Sequence, residues 1–354
     1  MLRSSPQKAR RHITIKDVAK RARVSPMSVS NFLNERFHLM AADTRARITT
    51  AIAALGYRPN SGARGLRLNK EFSVGMIIVD PQPAYLVDPF ISRVASGLSS
   101  RLAEMGYACT VQGLPDCDAT NALFASHFRA DALCVFASGT RAARRKLIES
   151  LARYDEPIVL IEETERFPKL DLMTVRQDDS GGAEQIARHL LSLGARSFLL
   201  MMPEPIWPAN VAREKVLTTL LTEAVGPNRV MRIECGYGNF TAVQAILGRW
   251  LAVNKPVDAF VANNDQIGIA ALRTLVARGI RVPSDAMVTG FGGFEIWHYS
   301  DPPLTTVISR AYELGHRSAE AVFRRLDTGR FDEREVVLPL TLQISGSTAI
   351  HQRE

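Results

Sequence analysis

The chain is poor in the residues that mark disulfide scaffolds and metal sites. Of its 354 residues, four are cysteines and seven are histidines. Cys109, Cys117, Cys134 and Cys235 show no C-x-x-C spacing, and the histidines form no ligand-like pair. Buried thiols are expected rather than disulfides or metal ligands, and no metal or cofactor is expected. Long hydrophobic runs are missing too. No apolar run approaches the roughly 18 residues that span a bilayer, so no membrane partner is expected. Residues 1–12 are basic but no apolar stretch follows them, which argues against a secretory signal and makes the cytoplasm the expected compartment. Catalytic signatures are absent as well: there is no G-x-G-x-x-G, Walker loop, H-E-x-x-H or G-x-S-x-G. An enzyme is therefore not the expected class.

Acidic residues are scarce at one end of the chain. Residues 1–70 hold 15 Lys and Arg against 3 Asp and Glu, a net +12, while the whole chain carries +8. The remainder is thus net negative, and the basic excess lies entirely in the first seventy residues. Such a local excess is the electrostatic footprint of phosphate binding. A merely solvated basic face would interleave more acids.

Within that basic segment, residues 14–34 read as two short amphipathic helices around a tight turn. Ile15, Val18, Ala19 and Ala22 recur at spacings of three and four, which places them on one face. Ser25 is a good N-cap and Pro26 suits the first helical position, so a second helix begins there. Val29, Phe32 and Leu33 form its inner face. Met27, Ser28, Ser30 and Asn31 lie outward, short or polar enough to meet base edges. The pattern is that of a helix-turn-helix, whose second helix docks in the DNA major groove; an ordinary helical hairpin has the same spacing, and the charge distribution favours the former. A third helix is expected from a cap at Asp43 to a stop at Gly56, with Ile48, Ile52 and Leu55 inward. Residues 57–67 carry mixed signals. Gly62 and Gly65 each disfavour a helix by about 1 kcal/mol, so this stretch reads as a linker that becomes helical only against a partner.

From residue 72 the pattern changes. Apolar strands at 74–79, 109–111, 132–136, 157–161, 197–202, 230–233, 259–262 and 287–291 alternate with helices near 90–105, 141–153, 181–193, 210–224, 241–253 and 265–278. Alternation of this kind implies parallel sheets covered on both faces. So many units suit two doubly wound lobes, with ligand held in a cleft outside the strand carboxyl ends.

With these motifs in place, the chain resembles the lactose/galactose repressor family of bacterial transcription regulators over residues 13 to about 347. The resemblance rests on Thr14–Ala19, Val24–Ser30, Leu55–Asn60, Ala262–Asp265, Gly279–Asp285, Pro302–Val307 and Glu313–Gly315. It implies a small all-α helix-turn-helix headpiece (1–58), a hinge helix or linker (59–71), and an α/β two-lobed periplasmic-binding-protein-like domain (72–354). It also implies a homodimer or dimer of dimers on a pseudo-palindromic double-stranded DNA operator, with repression the expected sign. The small-molecule effector would be a sugar, sugar acid or sugar phosphate. Expected DNA contacts are Thr14, Ser25, Pro26, Met27, Ser28, Ser30, Asn31, Asn34, Tyr57, Asn60, Ala63, Arg64 and Leu66, the last as a minor-groove wedge. Expected effector contacts are Asp88, Phe90, Glu162, Arg213, Phe240, Asn264 and Gly292.

Two departures from the family pattern matter. Asn31 stands where arginine is common, and Asn pairs bidentately with adenine where Arg favours guanine. Gly290-Phe291-Gly292-Gly293 replaces a pattern ending in Asp-Asp, which removes an effector-gripping carboxylate and should enlarge the cleft. Arg213 would then face less negative charge and favour an anionic ligand, although Glu162 works partly against that. The competing classes are a solute-binding protein without a DNA role and a regulator that has lost effector control.

Overall fold

A computed structural model of the chain describes residues 13–57, 70–119, 129–204 and 206–349. These fall into two compact units divided between Glu71 and Phe72.

The first unit is α1 (Ile15–Ala22), α2 (Pro26–Leu33) and α3 (Ala42–Leu55), with a 3₁₀ turn at Phe37–Leu39. Its local rules are followed closely. The Asp17 carboxylate accepts from the Thr14 backbone N–H at 2.8 Å and from its hydroxyl at 2.7 Å, the return arm of a capping box. Arg23, in the left-handed region at φ 54°, ends α1. Ser25 Oγ accepts from the Ser28 N–H at 3.0 Å and Pro26 opens α2. One expectation fails: α3 begins two residues earlier, with Ala41 at its N-cap. Asp43 sits inside the first turn and pairs with Arg47 at 3.0 Å, where its charge still favours the helix dipole. Val18, Ala19, Ala22, Val29, Ile48 and Ala51 make the core, and Tyr57 packs its ring among them.

The second unit holds two sheets of six strands. The first takes β1 (Ser73–Val79), β2 (Ala108–Leu114), β3 (Ala132–Ala137), β4 (Ile158–Ile161) and β5 (Leu172–Gln177), with α4 (Pro89–Glu104) and α5 (Arg141–Leu151) between them. The second takes β6 (Phe198–Met202), β7 (Val230–Glu234), β8 (Ala259–Ala262), β9 (Met287–Gly292) and β10 (Thr305–Ile308). Between its elements lie α6 (Asp179–Ser192), α7 (Pro208–Val225), α8 (Phe240–Val253) and α9 (Asp265–Val276). The chain then returns as α10 (Ala311–Thr328) and β11 (Glu335–Leu338) to the first sheet, and ends with β12 (Thr341–Gln343) on the second.

The two sheets repeat one order, β2-β1-β3-β4-β5-β11 and β7-β6-β8-β9-β10-β12. All pairings are parallel except β10 with β12. Strands buried on both faces, such as β1 and β3, are continuous apolar runs for that reason. In each sheet the order reverses at the first strand, which creates a crevice at its carboxyl end. The chain crosses between lobes three times, after β5, after β10 and after β11. Gln177, at the first crossing, accepts at Oε1 from Ser309 Oγ (2.7 Å) and Arg310 N–H (2.6 Å) at the second. The Asp178 N–H donates to the Leu338 carbonyl at the third. The crossings are thus tied to one another directly.

Among the described residues no helix is long and apolar enough to cross a membrane.

Candidate DNA-binding helix and ligand cleft

In the first unit, α2 turns Val29 fully inward and leaves Met27 68% exposed. Ser28, Ser30 and Asn31 are half-buried, while Ser25, Pro26 and Asn34 are exposed. Several hydroxyls and amides are already engaged locally. Ser25 and Ser28 share a hydroxyl contact at 3.0 Å, and the Asn34 amide donates to the Ser30 carbonyl at 2.7 Å. Thr14 is tied to Asp17. Met27 and Asn31 carry no such tie in their side chains, which leaves them as the outward chemistry of α2. Around it Lys16, Lys20, Arg21, Arg23 and Arg36 are exposed on the same unit. Tyr57 gives its ring to the core, and burial pushes its phenol up. Asn60, Ala63, Arg64 and Leu66 lie outside the described residues, as does the expected hinge helix.

In the second unit a cavity of about 540 Å³ opens between the lobes. Its walls are the strand carboxyl ends: Asp80 after β1, Phe136 in β3, Glu162 after β4, Asn264 and Asp265 after β8, Gly292 in β9 and Ser309 after β10. Every expected effector residue lines it: Asp88, Phe90, Glu162, Arg213, Phe240, Asn264 and Gly292. Several also have structural duties. Asp88 caps α4, its Oδ1 accepting from Phe90 N–H at 2.7 Å, and Asn264 caps α9 through the Ile267 N–H at 2.9 Å. Phe136 stacks on Trp207 with ring centroids 4.2 Å apart, and Phe90 tilts against Phe136 at 5.5 Å. Flat apolar faces beside polar acceptors suit a small polar ring with apolar C–H faces.

Arg213 lines the cleft but is not a free cation. Its guanidinium is only 8% exposed and is bound to Asp179, with Nε and Nη2 each 2.7 Å from Oδ1. Nη1 donates to the Asn263 carbonyl at 3.0 Å, and the group lies 3.6 Å over the Phe291 ring. Its charge is therefore answered within the protein. Glu162, 2% exposed and in the left-handed region at φ 59°, accepts from the Gln177 N–H at 3.0 Å. Burial pushes its carboxyl well above the usual range, and the neighbouring Asp179, to which it hydrogen-bonds, adds to this.

The glycine pair also departs from expectation. A Cβ on Gly292 would come within 2.9 Å of the Phe294 ring, and one on Gly293 within 2.4 Å of Ile308 Cδ1. The space released by the missing carboxylates is filled by Phe294 and Ile308, so the cleft does not widen there. A carboxylate is nonetheless present beside the loop. Asp265 Oδ2 accepts from the Gly293 N–H at 2.6 Å, and Thr306 Oγ1 donates to Oδ1 at 2.5 Å. Burial pushes Asp265 up to about 6 against these hydrogen bonds.

Asp80, Asp179, Asp265, Phe136, Trp207 and Phe294 were not among the sequence-based site residues. A signal existed for Asp80, an acid directly after a buried parallel strand. Asp179 is recognisable only once α6 is packed against α7.

A helix-turn-helix unit with a basic surface, joined to a two-lobed ligand cleft, defines a ligand-responsive DNA-binding protein. Residues 14–60 match the model for bacterial regulatory proteins of the lacI family, and residues 187–348 match a periplasmic binding protein-like domain. The chain is 27% identical over 319 residues to the HTH-type transcriptional repressor PurR of Mannheimia succiniciproducens, covering 88% of this chain and 92% of that one. It is 26% identical to the HTH-type transcriptional regulator DegA of Bacillus subtilis, covering 95% and 98%. In fold it is similar to the Lac repressor bound to ONPG in the repressed state, with TM-score 0.81 and 22% identity over 95% of this chain and 99% of that one. The chain thus carries a lacI-family DNA-binding domain ahead of a periplasmic binding protein-like domain, and its relatives of this make-up are transcriptional regulators.

Proposed function

We propose that this regulator works in the cytoplasm as a dimer on a pseudo-palindromic operator, under control of a small molecule held between its lobes. The single observation that carries the reading is the pairing of a headpiece whose α2 exposes Met27 and leaves Asn31 half-exposed beside it with a cavity lined by both lobes. In this reading residues 1–58 dock on DNA and residues 59–71 join them to the core. Thr14, Ser25, Pro26, Met27, Ser28, Ser30, Asn31 and Asn34 meet DNA from the headpiece, with Asn60, Ala63, Arg64 and Leu66 contributing from the linker. Residues lining the cleft grip the effector. A ligand that prefers one arrangement of the lobes shifts operator affinity in proportion to that preference, and operator shifts ligand affinity by the same factor.

A solute-binding protein without a DNA role is the other reading, and the basic headpiece speaks against it. The experiment is selection of bound genomic fragments followed by footprinting. A protected pseudo-palindrome that loses protection in Asn31→Ala supports the proposal. Absence of any protected fragment would leave only the solute-binding reading.

A further inference from the structure

Carboxyls outnumber cations in the lining of the cleft. Asp80, Asp88, Glu162 and Asp265 line the cavity, and among the described residues Arg213 is its one cationic lining side chain. Arg213 is bound to Asp179, and burial pushes the neighbouring Glu162 carboxyl up. Asp80, Asp88 and Asp265 remain. Asp80 and Asp88 each use Oδ1 on a local backbone N–H, Gln82 for Asp80 and Phe90 for Asp88. No cation faces either oxygen pair at contact distance among the described ion pairs. Burial pushes both carboxyls up; the field of Asp88 adds to this for Asp80, while the field of Arg213 and the backbone N–H groups work against it for Asp88.

The second observation is aromatic. The stacked Phe136–Trp207 pair, with Phe90 against it, forms an apolar wall of the same cavity. Arg93 and Arg273 lie 5.4 and 5.5 Å from the rings of Phe294 and Phe240, and neither lines the cavity. An aromatic wall next to paired carboxylates attracts cations through both ring quadrupole and charge. An anion entering here would meet three aspartates against one arginine that is already paired with Asp179.

We infer that the effector of this cleft is an amine-bearing polyol, of the amino-sugar class, whose ammonium lies against Asp80 and Asp88 and whose ring faces the Phe136–Trp207 wall. This rests on the effector reading above and goes beyond it in naming charge and class.

Two measurements test it. The first is collisional quenching of Trp207 fluorescence, taken as wild type minus Trp207→Phe, with caesium, iodide and neutral acrylamide. A local potential of one thermal unit enriches cations roughly threefold, so caesium should quench more than iodide by at least that factor after correction for their efficiencies in water. Asp80→Asn with Asp88→Asn should bring the two together; Asn keeps the α4 cap. The second is thermal shift of the wild-type full chain across matched glucosamine, glucose, glucuronate and glucose 6-phosphate, a wider set of amino sugars and aminopolyols, and simple polyamines. Stabilisation by an amine and not by its hydroxyl analogue supports the inference. Equal or stronger iodide quenching overturns it. So does a panel in which no amine stabilises, or in which a sugar acid or phosphate alone does. Footprinting of the wild type without effector reports on the regulator reading separately, so the two can fail independently.

Discussion

Asp265 shows how one buried side chain can serve two ends. It is 2% exposed, it holds the Gly293 and Phe294 N–H groups, and burial lifts its carboxyl to about 6. A folded-state value raised above the unfolded one means the folded form binds the proton more tightly. That contribution is complete below about pH 4 and is lost as pH rises through about 6. Relative to Asp265→Asn, which does not titrate, the wild type should lose up to about 3 kcal/mol of stability across that window. Urea unfolding at several pH values checks this, and a difference that stays flat counts against it. On the DNA side, Asn31→Ala should cost about 1–3 kcal/mol of discrimination at one adenine-containing position if its amide reads the base. Measured affinities over a set of operator variants decide, because a phosphate contact would lower all of them equally. Arg213 is a third case. Arg213→Met leaves Asp179 buried beside Glu162 without its cation, so a loss of about 3–5 kcal/mol is expected. The double change with Asp179→Asn should recover much of it by chemical denaturation.

The α4–α10 pair shows what governs whole elements. A Cβ on Gly97 would fall 1.9 Å from the Tyr312 carbonyl oxygen, and one on Gly315 would fall 2.0 Å from that of Val94. Backbone meets backbone here, so no flexible side chain can give way. Gly315→Ala should therefore destabilise by at least about 1–3 kcal/mol, the usual range for overpacking, read from its unfolding midpoint at unchanged m-value. The helix α4 was legible in sequence because Asp88-Pro89 and Gly106 bracket it. Its partner α10 opens after Arg310 without a side-chain cap, so only the signature Glu313-Leu314-Gly315 marks it in the sequence. The strands that feed it were obscured for physical reasons. β10 is four residues with two threonines, each hydroxyl satisfied only by distant groups, Asp265 for Thr306 and Thr348 for Thr305. β11 is a half-exposed edge beginning with Glu335, which lacks the apolar run of a central strand. The headpiece was legible almost residue by residue, because caps and turns are local chemistry. The polarity of the cleft was not, because the Arg213–Asp179 pair joins residues 34 positions apart.

At the scale of the molecule, charge and ligand chemistry are segregated. The basic excess lies in residues 1–70 and the remainder is net negative, and the boundary between compact units falls one residue later. The segregation separates a surface that attracts polyanions from a cleft lined with carboxylates. It also gives the second unit its own complete cores on both faces of both sheets. A fragment of residues 72–354 should therefore fold, retain ligand binding and lose DNA affinity. The full chain should show affinity that falls steeply with salt, since each neutralised phosphate contributes about −0.9 to the slope of log K against log salt. Three phosphate contacts in each headpiece of a dimer would give a slope near −5, by this rough count. Replacing both Lys20 and Arg21 by Ala should make the slope shallower and lower affinity on all sequences alike. Asn31→Ala should leave the slope intact while changing sequence preference. Fluorescence anisotropy on operator and scrambled DNA at four or five salt concentrations measures both. A fragment 72–354 that still bound operator, or a full-chain slope near zero, would mean that the headpiece is not the DNA-binding surface.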